Sequence, residues 1–289
     1  MEPQLDGSII VASLLILSVL ISSAALWVQQ VQRPRAQKIP DAGISPWNIG
    51  WVNFGIFLCA IIFLVFLSQS VGAILLFPGS SDGPAELTSW LAVAAVLLLQ
   101  VPMLAVFYGS RRFYPDLYGS KLSEHKLPLF QAAKKAFIYF IMLLPVVWLV
   151  TLVWSNLLLH LENIGLIQSV EPQTIVTLFT DGRDPVAIGF LVIMAVVLAP
   201  VVEEIIFRGC VYRFLKSQTS LIAAQIISSA LFALLHTNLL SFVPLMVVGI
   251  LLARIYEKSG NLGVAIWFHA FFNGFSLSML LITSFSDKL

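Results

Sequence analysis

Charge is the first thing this sequence lacks. Of 289 residues, 16 are Lys or Arg and 15 are Asp or Glu, 11% together, while 59% are hydrophobic. An ordinary soluble domain is about 25% charged and roughly 45–50% apolar. A soluble enzyme and a disordered chain are therefore both excluded. The net charge of +1 gives no field to recruit a polyanion, which excludes nucleic acid as a partner. Cysteine is scarce as well. Cys59 and Cys210 cannot build a disulfide framework, and both read as packing residues, Cys59 as a small buried hydrophobe. Apolar and polar residues do not alternate along the hydrophobic stretches, which excludes an outer-membrane barrel. HExxH zinc helices, Walker loops and dinucleotide fingerprints are missing too.

What the sequence has is long uncharged apolar runs. A bilayer-spanning helix takes about 20 residues, and about eight such spans use up the chain. The fold class is therefore all-α, a polytopic bundle. The expected spans are Ile9–Val28, Trp47–Phe77, Leu87–Tyr108, Ala136–Leu159, Pro185–Phe207, two helices between Lys216 and Arg254 divided at His236-Thr237-Asn238, and Leu262–Thr283. With the N-terminus outside, the inner segments hold Arg33, Arg35, Lys38, Arg111, Arg112, Lys121, Lys126, Lys134, Lys135, Arg208, Arg213, Lys216, Arg254 and Lys258. That is fourteen of the sixteen cations, with Arg183 and Lys288 outside. The positive-inside bias then puts both termini outside, and the short loops point to a bacterial cytoplasmic membrane or an internal eukaryotic one, the bacterial being preferred. The chain reads as one structural domain in two parts: residues 1–184 with the first four helices, and a helical core over 185–289.

A carboxylate at the centre of a span costs about 2.5–3.5 kcal/mol on insertion scales, so polar residues there need a reason. In the first half Asn48, Asn53 and Gln69 are scattered, and helix–helix hydrogen bonding accounts for them. The second half differs. Glu204 and Arg208 are four apart on one helical face, acid first, as a stable pair requires. Glu203 points about 100° away and is left to face a cavity, with Pro200 able to kink the helix beside it. Phe232 and His236 end the sixth helix, and His269 and Asn273 share one face of the eighth. A carboxylate, two imidazoles and an amide are the parts for activating a water and holding an oxyanion.

The patterns EExxxR, FxxxH and HxxxN, standing here as Glu203-Glu204…Arg208, Phe232…His236 and His269…Asn273, resemble those of the CPBP family of intramembrane proteases. That family contains the prenyl-CAAX endopeptidases of the Ras-converting-enzyme type and bacteriocin-immunity relatives. The flanks Ala199-Pro200 and Phe207-Arg208-Gly209 look similar too, and the resemblance runs from about Pro185 to Phe275.

The resemblance implies peptide hydrolysis within the membrane, on a peptide or protein substrate that can carry a lipid. Glu203 would be the base, His236 would position the water or share its proton, and His269 and Asn273 would hold the oxyanion. Glu204 and Arg208 would support them, with Phe232 beside the site. The family is often labelled metalloprotease, and a zinc on Glu203, His236 and His269 is a second possibility. The metal-free version is preferred, because Asn273 suits an oxyanion donor better than a ligand. Two other classes compete: a catalytically silent immunity-type binding protein, and a proton-relay transporter, the latter weakened by the lack of inverted repeats.

The expected spans carry a conflict. A rise of about 1.5 Å per residue puts Glu203 near the inner face, His269 near the middle and His236 near the outer face. One shared site requires that the fifth helix run on past Arg208, that the sixth begin below the bilayer core, or that the hairpin after His236 be sunk in a cavity.

Overall fold

The computed structural model describes residues 7–32, 43–76, 88–114, 123, 125–169, 178–179 and 184–286. Arg33, Arg35, Lys38, Lys121, Arg183 and Lys288 of the charge count lie outside the described residues. The described residues form helices and no strand. The helices are α1 (Gly7–Gln32), α2 (Trp51–Leu76), α3 (Ser89–Ser110), α4 (Leu129–Asn163), α5 (Pro185–Gln218), α6 (Leu221–Leu234), α7 (Leu239–Ser259) and α8 (Leu262–Ser286). Their outward faces are apolar, with Val52 77%, Leu75 72% and Phe66 70% exposed. Only lipid makes such a surface tolerable.

Seven of these helices are long and apolar enough to cross a membrane. The sixth is not. With 14 residues, α6 is about 21 Å long, short of a hydrocarbon core of roughly 30 Å. The fifth departs from expectation in the other direction. It does not stop at Phe207 but runs 34 residues to Gln218. Arg208 and Arg213 are therefore not loop charges; they are 1% and 0% exposed inside the helix.

The extension is stabilised by neutralising its cations one by one. Arg213 Nε donates to the Ser45 carbonyl at 2.8 Å, and Lys216 Nζ donates to the Ile44 carbonyl at 2.7 Å and to Glu257 at 2.6 Å. Tyr212 donates its hydroxyl to the same Glu257 carboxylate. The segment 43–50 is thus strapped across the C-terminal ends of α5 and α7. Its Trp47 is not helical, as the expected span over Trp47–Phe77 had it. It is an anchor 1% exposed, packed edge-on against Phe54, Phe57 and Tyr114.

Local chemistry sets the helix ends. Ser220 caps α6 by accepting from the Ala223 N–H at 3.2 Å, and Asn238 caps α7 by accepting from the Ser241 N–H at 3.0 Å. Gly260, at φ +65°, closes α7 in the left-handed conformation that glycine adopts without penalty. Asp184 caps the N-terminus of α5. Its carboxylate accepts the Val186 and Ala187 N–H groups at 2.9 and 3.2 Å and the Trp90 indole N–H of α3 at 2.7 Å. These donors, Ala187 foremost and then Trp90, hold the Asp184 carboxyl below the usual carboxylate range. The α3–α5 latch is accordingly complete above the ordinary carboxylate pKa and is lost only as pH falls through the lowered one.

α6 and α7 pack unusually close. A Cβ added at Gly249 would stand 2.7 Å from Ser229 Cβ and 3.1 Å from Ser229 Cα. The second of these is backbone and cannot swing aside. Gly249→Ala is expected to lower stability by about 1–3 kcal/mol, as overpacking does, read as an earlier thermal unfolding midpoint of the detergent-solubilised protein. Cys59 contradicts its sequence reading: it is exposed on α2, whereas Cys210 is buried as expected.

Candidate active site

The depth conflict resolves through the α5–α6 hairpin. Glu203 stands fifteen residues before the end of α5 at Gln218, and His236 fifteen residues after the start of α6 at Leu221. Each lies about 22 Å from the shared turn, so two antiparallel helices bring them level. The longer fifth helix is what makes this possible, and the short sixth ends in the bundle with the His236–Asn238 turn at its tip.

α5 is irregular where it matters. Met194–Leu198 and Ile205–Tyr212 are π-helical, with the α-helical Ala199–Glu204 between them. Such widened turns recur at functional sites. In the first, the Ala199 N–H bonds to the Met194 carbonyl, five residues back. The next carbonyl, Ala195, would look to residue 200, but that is Pro200 and carries no N–H. Asn273 Nδ2 of α8 donates to this carbonyl at 2.9 Å. Pro200 and Asn273 thus belong to one device that holds the widened turn before Glu203. An amide nitrogen has two hydrogens, so one remains for another acceptor.

Behind Glu203 lies a buried ion network. Arg208 Nη1 donates to Glu204 Oε1 at 2.9 Å and its Nη2 to the Gly249 carbonyl at 3.1 Å. The guanidinium carbon lies 4.7 Å from the centroid of the Phe232 ring, a cation–π contact. His269 Nδ1 is 2.9 Å from the same Glu204 oxygen. A carboxylate can only accept, so Nδ1 carries a hydrogen, and a neutral ring has its lone pair on Nε2. That Nε2 is 3.8 Å from Glu203 Oε2.

His236 is fixed by the same logic. At the frayed end of α6 its own N–H turns to Ala233, and the Thr237 N–H turns to Leu234. The Phe232 carbonyl is left to the ring, with Nδ1 2.9 Å away. A carbonyl also only accepts, so this Nδ1 is protonated too. The turn is strained: Thr237 has φ +46°, a conformation β-branched residues rarely adopt. Phe232, 0% exposed, is the hub, its ring 4.9 Å from His236 and 5.8 Å from His269. The FxxxH spacing thus gives one residue two tasks, a carbonyl for one imidazole and a ring for both.

Glu203, His236, His269 and Asn273 all line one cavity of about 990 Å³. Its other polar walls include Gln100, Asn238 and Ser241, and apolar side chains such as Leu99, Met103, Leu191, Met194, Leu235 and Leu280 make up most of the rest. Glu204, Arg208 and Phe232 stand behind this surface, buried. The sequence reading missed Gln100. It is 3% exposed on α3 and donates from Nε2 to Glu203 Oε1 at 3.4 Å. The available signal was a glutamine midway along an uncharged run. Gln69, by contrast, donates to the Ala95 carbonyl at 3.0 Å, the helix-to-helix role expected of it.

The zinc possibility was tested on the donor set. Both imidazoles carry Nδ1–H on an acceptor, the tautomer a metal ligand uses. However, among the described residues no three His, Cys, Asp or Glu side chains stand close enough together to hold one ion. As arranged, Glu203, His236 and His269 do not form a zinc site.

Residues 185–275, from the first turn of α5 to the middle of α8, match the family of type II CAAX prenyl endopeptidase Rce1-like proteins. The matched segment is 91 of the chain's 289 residues. The chain also resembles the Bacillus subtilis (strain 168) protein named "Putative membrane peptidase YdiL", at 30% identity over 95 residues, 33% of this chain and 39% of that protein. The chain thus spans about two fifths of that relative's length. No solved structure matches it. All seven residues expected at the site fall inside the Rce1-like segment, whereas Gln100 lies outside it.

Proposed function

We propose that this protein is an intramembrane endopeptidase that hydrolyses peptide bonds of membrane-associated substrates, prenylated CAAX-type peptides among them, in a bacterial cytoplasmic membrane with both termini outside; α6 and α7 together leave and return to the side where Lys216 meets Glu257, so the short α6 does not change the side on which α8 ends. Residues 185–289 are the catalytic core, and residues 1–184 are the helices that enclose it. The observation that carries this reading is the placing of one carboxylate and two oriented imidazoles on the wall of a single, mainly apolar cavity.

The reaction follows from those groups. Glu203 takes a proton from a water that His236 orients, and the water oxygen bonds to the scissile carbonyl carbon. The carbonyl electron pair moves onto its oxygen, where the second Asn273 N–H and His269 Nε2 stabilise it. With Nδ1–H held by Glu204, His269 donates from Nε2 only after gaining a proton. Glu203, 3.8 Å away, is the group that holds one at that moment. When the C–N bond breaks, that proton leaves with the amine. Preformed donors of this kind are each worth about 100- to 1000-fold in rate. The apolar walls suit a lipid tail or a transmembrane segment beside the cleaved bond.

The test uses purified protein in lipid nanodiscs with fluorogenic peptides, prenylated and plain, with and without chelator. Cleavage that survives the chelator, and is lost in His236→Ala, is expected. A folded protein that cleaves none of the peptides, and whose alanine variants keep their cellular effect, would instead be the silent binding protein.

A further inference from the structure

Gln100 stands where no packing demand explains it. A side-chain amide inside a lipid-embedded bundle is costly unless both of its ends are satisfied. Gln69, one helix away, meets a backbone carbonyl. Gln100 meets a carboxylate instead: its Nε2 is 3.4 Å from Glu203 Oε1, and its Oε1, buried, has no hydrogen-bond partner. The amide cannot be reversed, since its oxygen would then face a carboxylate oxygen. α3 holds it firmly. The Trp90–Asp184 latch ties the N-terminal end of α3 to α5, and the Gln69 bond ties its middle to α2. Val96, Gln100 and Met103 share the face that walls the cavity. The Glu203 carboxylate is consequently held between two helices, Oε1 by α3 and Oε2 beside His269 of α8.

We propose that Gln100 is a positioning residue of this site: its amide nitrogen aims the Glu203 carboxylate, and its carbonyl oxygen accepts a hydrogen bond from the water that the carboxylate activates. This rests on the hydrolase reading above. It also gives the part of the chain outside the Rce1-like segment a direct share in the chemistry. A water between Glu203 and the Gln100 carbonyl has both hydrogens engaged, one by the base and one by the amide oxygen; His236, whose Nδ1–H is held by the Phe232 carbonyl, meets its oxygen by donating from Nε2 as the imidazolium. That leaves an oxygen lone pair for the substrate carbonyl.

The test compares Gln100→Met, which keeps the volume, and Gln100→Asn, which keeps the amide but falls short by one methylene. The expected result for Gln100→Met is a kcat lower by about 10- to 100-fold, the loss of a hydrogen bond to a charged group, with KM unchanged. Gln100→Asn should recover part of it. A second readout needs no turnover. The Glu203 carboxylate stretch, isolated as the infrared difference between each protein and its Glu203→Gln counterpart, should shift when Gln100 is replaced. Should Gln100→Met fail to fold, the same two measurements on Gln100→Asn decide. A folded variant with wild-type kcat and an unmoved band overturns the proposal. A wild-type protein that cleaves nothing overturns the hydrolase reading instead, and the band shift still reports whether Gln100 holds the carboxylate.

Discussion

Glu203→Gln is expected to lower peptide cleavage by about 100- to 10,000-fold, the usual contribution of a positioned general base, while the protein still inserts and folds. Glutamine keeps the shape of the side chain, and its carbonyl can still accept the Gln100 N–H bond of the wild type. What it loses is the ability to take a proton from water or pass one across the gap to His269. The measurement pairs initial cleavage rates with a thermal melt of the same preparation, so that lost chemistry is separated from lost structure. Near-wild-type cleavage by a folded Glu203→Gln protein would mean that some other group activates the water. Glu204 is a poor substitute, being 0% exposed and committed to Arg208 and His269.

Arg208→Met is expected to act on the other property. It removes the cation from a fully buried pair and leaves the Glu204 charge with only the His269 ring. Breaking a buried pair from one side costs roughly 3–5 kcal/mol. Here the link to the Gly249 carbonyl and the contact with the Phe232 ring go as well. The unfolding midpoint should fall sharply, and cleavage with it, because His269 loses its fixed partner. Replacing both members, as Glu204→Gln with Arg208→Met, should recover much of the stability, since removing both ends of a buried interaction costs far less than removing one. Activity should not return with it. Arg208→Lys is no conservative substitute, because an ammonium lacks the planar fork that reaches Glu204 and Gly249 together.

The parts of the site legible in the sequence are those made by neighbours along one helix. Glu204 with Arg208 and Phe232 with His236 are four apart, and that spacing alone predicts each contact. Gln100 was not legible, because its partner is 103 residues away and no local pattern marks it. The length of α5 was hidden by its own charges. Arg208, Arg213 and Lys216 look like a helix leaving the bilayer, yet each is met by a carbonyl from a distant segment. Cys59 was misplaced for a different reason. In lipid the outside of a bundle is as apolar as the inside, so hydrophobicity cannot say which way such a residue faces. The structural task of Asn273 was also out of reach. Its bond to the Ala195 carbonyl exists because a π-turn meets Pro200, and a π-turn leaves no signature in composition.

The mechanism requires Glu203 to share one cavity with both imidazoles. Paired cysteines test this most directly. In a protein with Cys59 and Cys210 replaced by alanine, Glu203→Cys would be combined with His236→Cys or with His269→Cys. A third protein, keeping native Cys59 on the exposed face of α2, would serve as the control. Treated in native membranes with a short bifunctional thiol reagent, the first two are expected to cross-link within the chain and the control is not. If the 203–236 pair stays unbridged in folded protein while both thiols react singly, the carboxylate and the imidazole do not meet and the mechanism fails.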